Sequence, residues 1–126
     1  MESRIKFSED KLIVNGDGLK LVRAFENLLS NAIKYGKEGY FVDVTTKLKD
    51  NMAVVEVINY GGTISSLDLP HVFDRFYRVE KSRNSDIGGS GLGLAITKNI
   101  IELHEGTIAA YSNNERTIFE VRLPVV

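Results

Sequence analysis

The string LKLVRAFENLLSNAIKY, residues 19–35, decides the fold. Leu21, Val22, Phe25, Leu28, Leu29, Ala32 and Ile33 recur at spacings of three and four, the period of an amphipathic helix. At ~1.5 Å per residue this helix is roughly 25 Å long. The preceding turn, Asn15-Gly16-Asp17-Gly18, supplies Asp17 as an N-cap, and Gly36 supplies a C-cap. Asn27, Asn31 and Lys34 fall at i, i+4 and i+7 and share another face, directed away from Val22, Phe25, Leu29 and Ala32. Each asparagine costs on the order of half a kcal/mol of helix propensity against alanine. Such a face is either ordinary solvated surface or surface that a ligand covers. In the second case the amide oxygens suit a hard cation such as Mg²⁺, and Lys34 suits a phosphate.

Outward from this helix, two short apolar segments, Ile5–Phe7 and Leu12–Val14, read as two short strands or a hairpin. On the other side, Tyr40–Lys49 alternates, Asp50-Asn51 turns the chain, and Met52–Ile58 returns as an antiparallel partner. Residues 59–66 read as a loop and Pro70–Tyr77 as a short helix. Residues 80–91 are rich in charge, serine and glycine and read as a mobile loop. Leu92–Leu103 predicts a second long helix, with Leu92, Ile96, Ile100 and Leu103 on one stripe. Thr107–Ser112 and Thr117–Leu123 predict a closing hairpin. This order is not the strict βαβ alternation of a parallel sheet. It predicts an α+β two-layer sandwich, a mixed and mostly antiparallel sheet covered on one face by helices.

Composition narrows the function classes. A chain of 126 residues predicts one domain, and 43% hydrophobic with 26% charged residues is ordinary for a globular one. Sixteen basic against seventeen acidic residues give a net charge of −1, without the basic excess of a nucleic-acid binder. Cysteine is absent, which excludes disulfides and thiolate-held metal, and the two histidines argue against a histidine-rich metal site. The sequence has no apolar run long enough to span a bilayer and no apolar core of a signal peptide at its start. Direct membrane contact is not expected, and the chain is expected to be monomeric.

The run Gly88-Gly89-Ser90-Gly91-Leu92-Gly93-Leu94 leads straight into the second helix. Glycines let backbone N–H groups approach an anion, and a helix N-terminus adds free donors and about half a positive charge. Either this is a flexible loop at a helix start, or it cradles phosphate. It is neither a Walker A loop, which needs a following Gly-Lys-Ser/Thr, nor a Rossmann turn, which needs a preceding strand and wider glycine spacing.

Four segments in order carry a family resemblance. Residues 26–35 (Glu26 to Tyr35) resemble the N box of sensor histidine kinases, Asn59-Tyr60-Gly61-Gly62 sits where the G1 box belongs (59–64), Phe73 to Arg78 resembles the F box, and residues 89–96 resemble the G2 box. Phe76 to Arg83 and the Asn-Tyr-Gly turn look most like the vancomycin-resistance members. The resemblance spans nearly all of residues 1–126. It implies the Bergerat ATP-binding fold, with ATP and Mg²⁺ as cofactors. By match to the motifs, Asn31 would hold Mg²⁺, while Asn27, Lys34 and Tyr35 would line the phosphate and ribose side. Arg78 would reach the γ-phosphate, residues 79–90 would form an ATP lid with Lys81 beside the triphosphate, and Gly89, Gly91, Leu92 and Gly93 would cradle the phosphates. Asn59 and Gly61 would face the base, and Asn27, Lys34 and Arg78 would form the catalytic set. The implied partners are the protein's own dimerisation domain, which carries the acceptor histidine, and a response regulator. The implied setting is the cytoplasmic C-terminal domain of a membrane-bound sensor.

Two substitutions depart from the family pattern. The G1 box usually begins with Asp, whose carboxylate accepts a hydrogen bond from the adenine amino group. Here Asn59 offers an uncharged amide oxygen, and Thr63 stands where a second glycine is usual. ATP-hydrolysing relatives on this fold carry a catalytic Glu four residues before the metal-binding Asn. That position is Asn27, and Glu26 next to it is turned 100° away, so an amide replaces the base that would activate water. Transfer to another protein is therefore favoured over rapid hydrolysis. The alternatives are a nucleotide-binding or docking module without transfer, and an anti-sigma-type serine kinase on the same fold. His71 and His104 read as structural, His104 as a positive charge at a helix C-terminus.

Overall fold

The computed structural model describes residues 2–6, 12–35, 41–60, 64–77, 93–113 and 116–126. Its elements run β1 (Glu2–Lys6), α1 (Gly18–Tyr35), β2 (Phe41–Lys49), β3 (Met52–Tyr60), a single 3-10 turn at Leu69–His71, α2 (Gly93–Leu103), β4 (Thr107–Asn113) and β5 (Arg116–Pro124). The five strands form one sheet in the order β1-β2-β3-β5-β4. Three pairings are antiparallel, and β1 with β2 is parallel. This is the expected α+β arrangement.

The hairpin between β2 and β3 follows from its turn. Asp50 and Asn51 take positive φ values of 53° and 62°, and Lys49 pairs with Met52 across them. A two-residue loop with both residues left-handed matches the natural twist of the strands, and Asp and Asn tolerate that conformation best among non-glycine residues. The register then places Val44 beside Val57, and Val57 beside Phe119. These side chains share the face that meets the helices. The core there comprises Ala24, Leu28, Ala32, Val42, Val57, Val72, Ile100, Ile101, Phe119, Val121 and Leu123. The far face carries the buried Val54 and Ile58 together with polar pairs. Thr45 donates to Glu56 at 3.0 Å, Arg122 pairs with Glu120 at 2.9 Å, and Tyr60 donates to Asp43 at 2.6 Å.

Several expectations change. Residues 2–6 and 12–14 do not pair with each other. β1 instead lies parallel to β2, with Ile5 opposite Val44 and α1 as the crossover, while Val14 makes only an isolated bridge to Val125. The helix that separates the two strands in sequence makes the parallel pairing possible, since parallel neighbours need a long connection. β3 continues through Asn59 and Tyr60, where a loop was expected, because both stay in register with β5. The expected helix at Pro70–Tyr77 reduces to the 3-10 turn and following turns, and Phe76 there has φ 63°.

The helix stripes are also rotated from expectation. On α1 the fully buried residues are Ala24, Leu28 and Ala32, at 0% exposure, whereas Val22, Leu29 and Ile33 are 56%, 37% and 49% exposed. On α2 the buried residues are Thr97, Ile100 and Ile101, and Leu103 is exposed. α2 ends in a Schellman arrangement: Gly106 N–H donates to Ile101 C=O and Glu105 N–H to Glu102 C=O, both at 3.0 Å.

Candidate functional site

The buried stripe of α1 settles where its asparagines stand. At 100° per residue, Asn27 and Asn31 flank the Ala24–Leu28–Ala32 stripe and lie at its edge, not opposite the core. Both are half-buried, and Glu26 is exposed. The edge they occupy meets α2. Asn27 donates from Nδ2 to the carbonyl of Gly93 at 3.3 Å, which sets the amide-bearing helix against the first residue of α2. The small side chain of Ala24 permits the approach: Thr97, fully buried, points its hydroxyl at Gly93 C=O (2.9 Å) and toward Ala24 C=O (3.4 Å).

The start of α2 is suited to an anion. Its first turn has no acidic residue, so the partial positive charge of the helix end is not neutralised from within. Gly93 is exposed, and a Cβ built on it would meet nothing nearer than Asn27 Cγ at 4.0 Å. An amide oxygen at Asn31 is a hard donor of the kind Mg²⁺ accepts. Mg²⁺ usually keeps several waters and binds through few protein ligands plus phosphate oxygens. Among the described residues no group of three or more His, Asp or Glu side chains could hold a metal.

Asn59 lies on the helix-facing side of β3, 2% exposed, with Val42 and Thr117 as its cross-strand neighbours. Beside it, Ser112 and Thr117 share a hydroxyl hydrogen bond of 3.1 Å, and Ser112 Oγ accepts from the backbone N–H of Ile64 at 2.8 Å. A buried polar strip thus crosses the end of the sheet under the helices. In the segment that resembles the F box, Phe73 is anchored edge-on to Phe119, with ring centroids 6.1 Å apart. Phe76 turns outward and is 67% exposed. Tyr77 donates its hydroxyl to Asp68, which holds the phenol above its ordinary titration range. His71 pairs with Asp74 at 2.9 Å and stacks at a tilt on Tyr77.

Of the expected site residues, the structure brings Asn27 and Gly93 into contact, sets Asn31 one turn further along the same edge, and buries Asn59 in the sheet under the helices. Gly61, Arg78, Lys81, Gly89, Gly91 and Leu92, the lid at 79–90, Thr63 and the C-cap at Gly36 lie outside the described residues, as do the side chains of Lys34 and Tyr35. Thr97 was missed because a lone threonine in an apolar helix reads as neutral filler. Its signal was its spacing, four residues from Gly93 and three from Ile100. His104 was expected to be a positive charge at the end of α2. Instead its Nδ1 lies 2.8 Å from Ile100 C=O, and its Nε2 accepts the backbone N–H of Asp17 at 2.9 Å. A ring that donates on one side and accepts on the other is neutral.

Residues 16–126 match the family model described as histidine kinase-, DNA gyrase B-, and HSP90-like ATPase. The chain belongs to this family. Within it the similarity runs to sensor kinases. The chain is 45% identical over 120 residues to the sensor histidine kinase CusS of Escherichia coli strain K12, and 43% identical over 117 residues to the sensor protein VanS of Enterococcus faecium. These matches cover 95% and 93% of the chain but 25% and 30% of the relatives, so the chain spans between a quarter and a third of their length. The solved structure of the mycobacterial sensor histidine kinase MprB superimposes with a TM-score of 0.86 at 30% identity, covering 98% of this chain and 83% of that one. No helix among the described residues is long and apolar enough to cross a membrane.

Proposed function

We propose that the chain is the ATP-binding catalytic domain of a two-component sensor histidine kinase, and that it moves the γ-phosphoryl group of Mg-ATP to a histidine on a separate dimerisation domain. The observation that carries this reading is the Asn27–Gly93 contact, because it brings an amide-bearing helix edge and an uncompensated helix N-terminus to one place. Membership of the ATPase family supports nucleotide binding, and similarity to sensor kinases supports the class of acceptor. In the transfer, a bond forms between an imidazole nitrogen and the γ-phosphorus, the bond to the β–γ bridging oxygen breaks, and ADP leaves. Asn31 would hold the magnesium that accompanies the nucleotide, through its side-chain oxygen. By match to the motifs, Asn27 and Lys34 would line the phosphate side, and Arg78 and Lys81 would offset charge on the triphosphate. By the same match, the backbone around Gly89, Gly91, Leu92 and Gly93 would hold the phosphates, Tyr35 would line the ribose side, and Asn59 with Gly61 would meet the base.

The amide at Asn27 gives the site no carboxylate base for water, and Glu26 points to solvent. Positioning and charge neutralisation are what phosphoryl transfer asks of such a domain. The response regulator is the onward acceptor. A role of the parent protein in vancomycin resistance rests on the Phe76–Arg83 resemblance, and the comparable identities to VanS and CusS give it no advantage over other sensor kinases.

The test is incubation with γ-labelled ATP, Mg²⁺ and a dimerisation fragment of the same kinase. Label on the fragment that is lost in acid and kept in base supports histidine transfer. Tight ATP binding with no label would leave a binding module, and acid-stable label would leave a serine kinase. Asn31→Ala is expected to abolish Mg-ATP binding. Equal affinity for ATP and GTP would remove Asn59 from the base-reading role.

A further inference from the structure

α1 and α2 run antiparallel, and the structure ties them at both ends of α2. At one end Asn27 Nδ2 donates to Gly93 C=O at 3.3 Å. At the other, roughly 15 Å of helix away, His104 Nε2 accepts the N–H of Asp17 at 2.9 Å. Asp17 caps α1, its Oδ1 accepting from Lys20 N–H at 3.2 Å. His104 is itself fixed, its Nδ1 donating to Ile100 C=O at 2.8 Å. Gly16 makes room for the ring: a Cβ there would stand 2.2 Å from His104 Cδ2 and 2.6 Å from Nε2.

We propose that His104 is a positioning residue for the nucleotide site: its neutral imidazole joins the cap of α1 to the last turn of α2 and so sets the register at which Asn27 and Asn31 face Gly93. The geometry explains why a charged side chain would not serve. The Asp17 N–H is one of the free donors of a helix start and needs an acceptor. Only an unprotonated Nε2 supplies one, and the Nδ1–H that Ile100 C=O holds enforces that tautomer. With this tie cut, the contact at the nucleotide end rests on the longer Asn27–Gly93 hydrogen bond and on the buried Thr97 hydroxyl. α1 is then free to shift along α2, and the amides move relative to the helix start. This inference rests on the nucleotide site proposed above.

The test separates the two hydrogen bonds. The amide of Asn reaches the Nδ1 position and that of Gln the Nε2 position, so His104→Asn keeps the donor to Ile100 C=O and loses the acceptor for Asp17, whereas His104→Gln keeps the acceptor. His104→Asn is expected to weaken Mg-ATP binding by about five-fold, the scale of one net hydrogen bond, and His104→Gln to stay within about two-fold of wild type. The NMR signals of the Gly93 amide and the Asn27 side-chain amide are expected to shift in the Asn variant and return in the Gln variant. In the wild-type protein, a scalar coupling across the hydrogen bond between Asp17 N and His104 Nε2 is expected, with Nδ1 protonated. Unchanged affinity together with unmoved Gly93 and Asn27 signals in His104→Asn would overturn the proposal, as would a ring protonated at Nε2. A wild-type chain that binds no ATP would overturn the nucleotide site, and the NMR signals would then decide the role of His104 on their own. If His104→Asn fails to fold, the wild-type coupling and ring protonation decide it.

Discussion

Two neighbouring residues at the end of α2 divide a task that one glycine often performs. Glu105 takes the left-handed position at φ 62°, and Gly106 follows it. The glycine cannot move up one place, because a Cβ at residue 106 would lie 2.3 Å from the carbonyl oxygen of Arg122. Glu105 therefore bears the steric cost of a left-handed non-glycine residue, of order 1–2 kcal/mol. Glu105→Gly is expected to stabilise the domain by about 1 kcal/mol in a urea melt, and Gly106→Ala to destabilise it. Tyr77 offers a second test at this scale. Its hydrogen bond to Asp68 exists only while the phenol is protonated, and it raises the phenol above its ordinary value. The contact is thus complete below the ordinary tyrosine range and is lost as pH rises through the raised value. An ultraviolet titration is expected to show the Tyr77 phenol ionising late, and Asp68→Asn is expected to bring it earlier. Asn59 shows how far a single residue was legible. The resemblance implied a base-facing amide there, but the glycines at 61 and 62 made the segment read as a loop, so its place inside a strand was hidden. Pairing with Val42 on one side and Thr117 on the other keeps it in the sheet.

Helix α1 was legible in type and extent and misread in phase. Its apolar residues occupy two arcs: Ala24, Leu28 and Ala32 with Leu21 and Phe25 on one, and Val22, Leu29 and Ile33 on the other. Periodicity counts apolar spacings and cannot say which arc meets the sheet. The small side chains decide it, since Ala24 and Ala32 let the helix lie close to α2 and the strands. The asparagines then fall at the border of the core, half-buried, with Asn27 set against Gly93 of α2. Leu28→Ala is expected to cost roughly 2–5 kcal/mol, the range for a buried leucine. Ile33→Gln, on the exposed arc, is expected to stay within about 0.5 kcal/mol. Chemical denaturation of both variants checks this. A comparable loss from Ile33→Gln would mean that the exposed arc is packed, and the phase argued here would be wrong.

At the scale of the molecule, the α+β class followed from element order, but the strand order did not. β5, last in sequence, lies between β3 and β4, and β1 reaches β2 across the whole of α1. Such pairings are set by which faces must be buried together, and the local sequence carries no record of it. The resulting sheet has β2, β3 and β5 at its interior, each bonded on both sides, and β1 and β4 at its edges. Burial against the helices adds to that protection at Val57 and Phe119, both 1% exposed. Hydrogen exchange is therefore expected to be slowest in β3 and β5 and faster in β1 and β4, since local opening follows bonding and burial. Addition of Mg-ATP is expected to slow exchange at the start of α2 and along the Asn27–Asn31 edge of α1 while leaving the Asp50-Asn51 turn unchanged. Protection that instead appeared first at that turn, at the far end of the hairpin, would place the nucleotide away from the helix pair. The amide edge and the start of α2 would then have been brought together by packing alone.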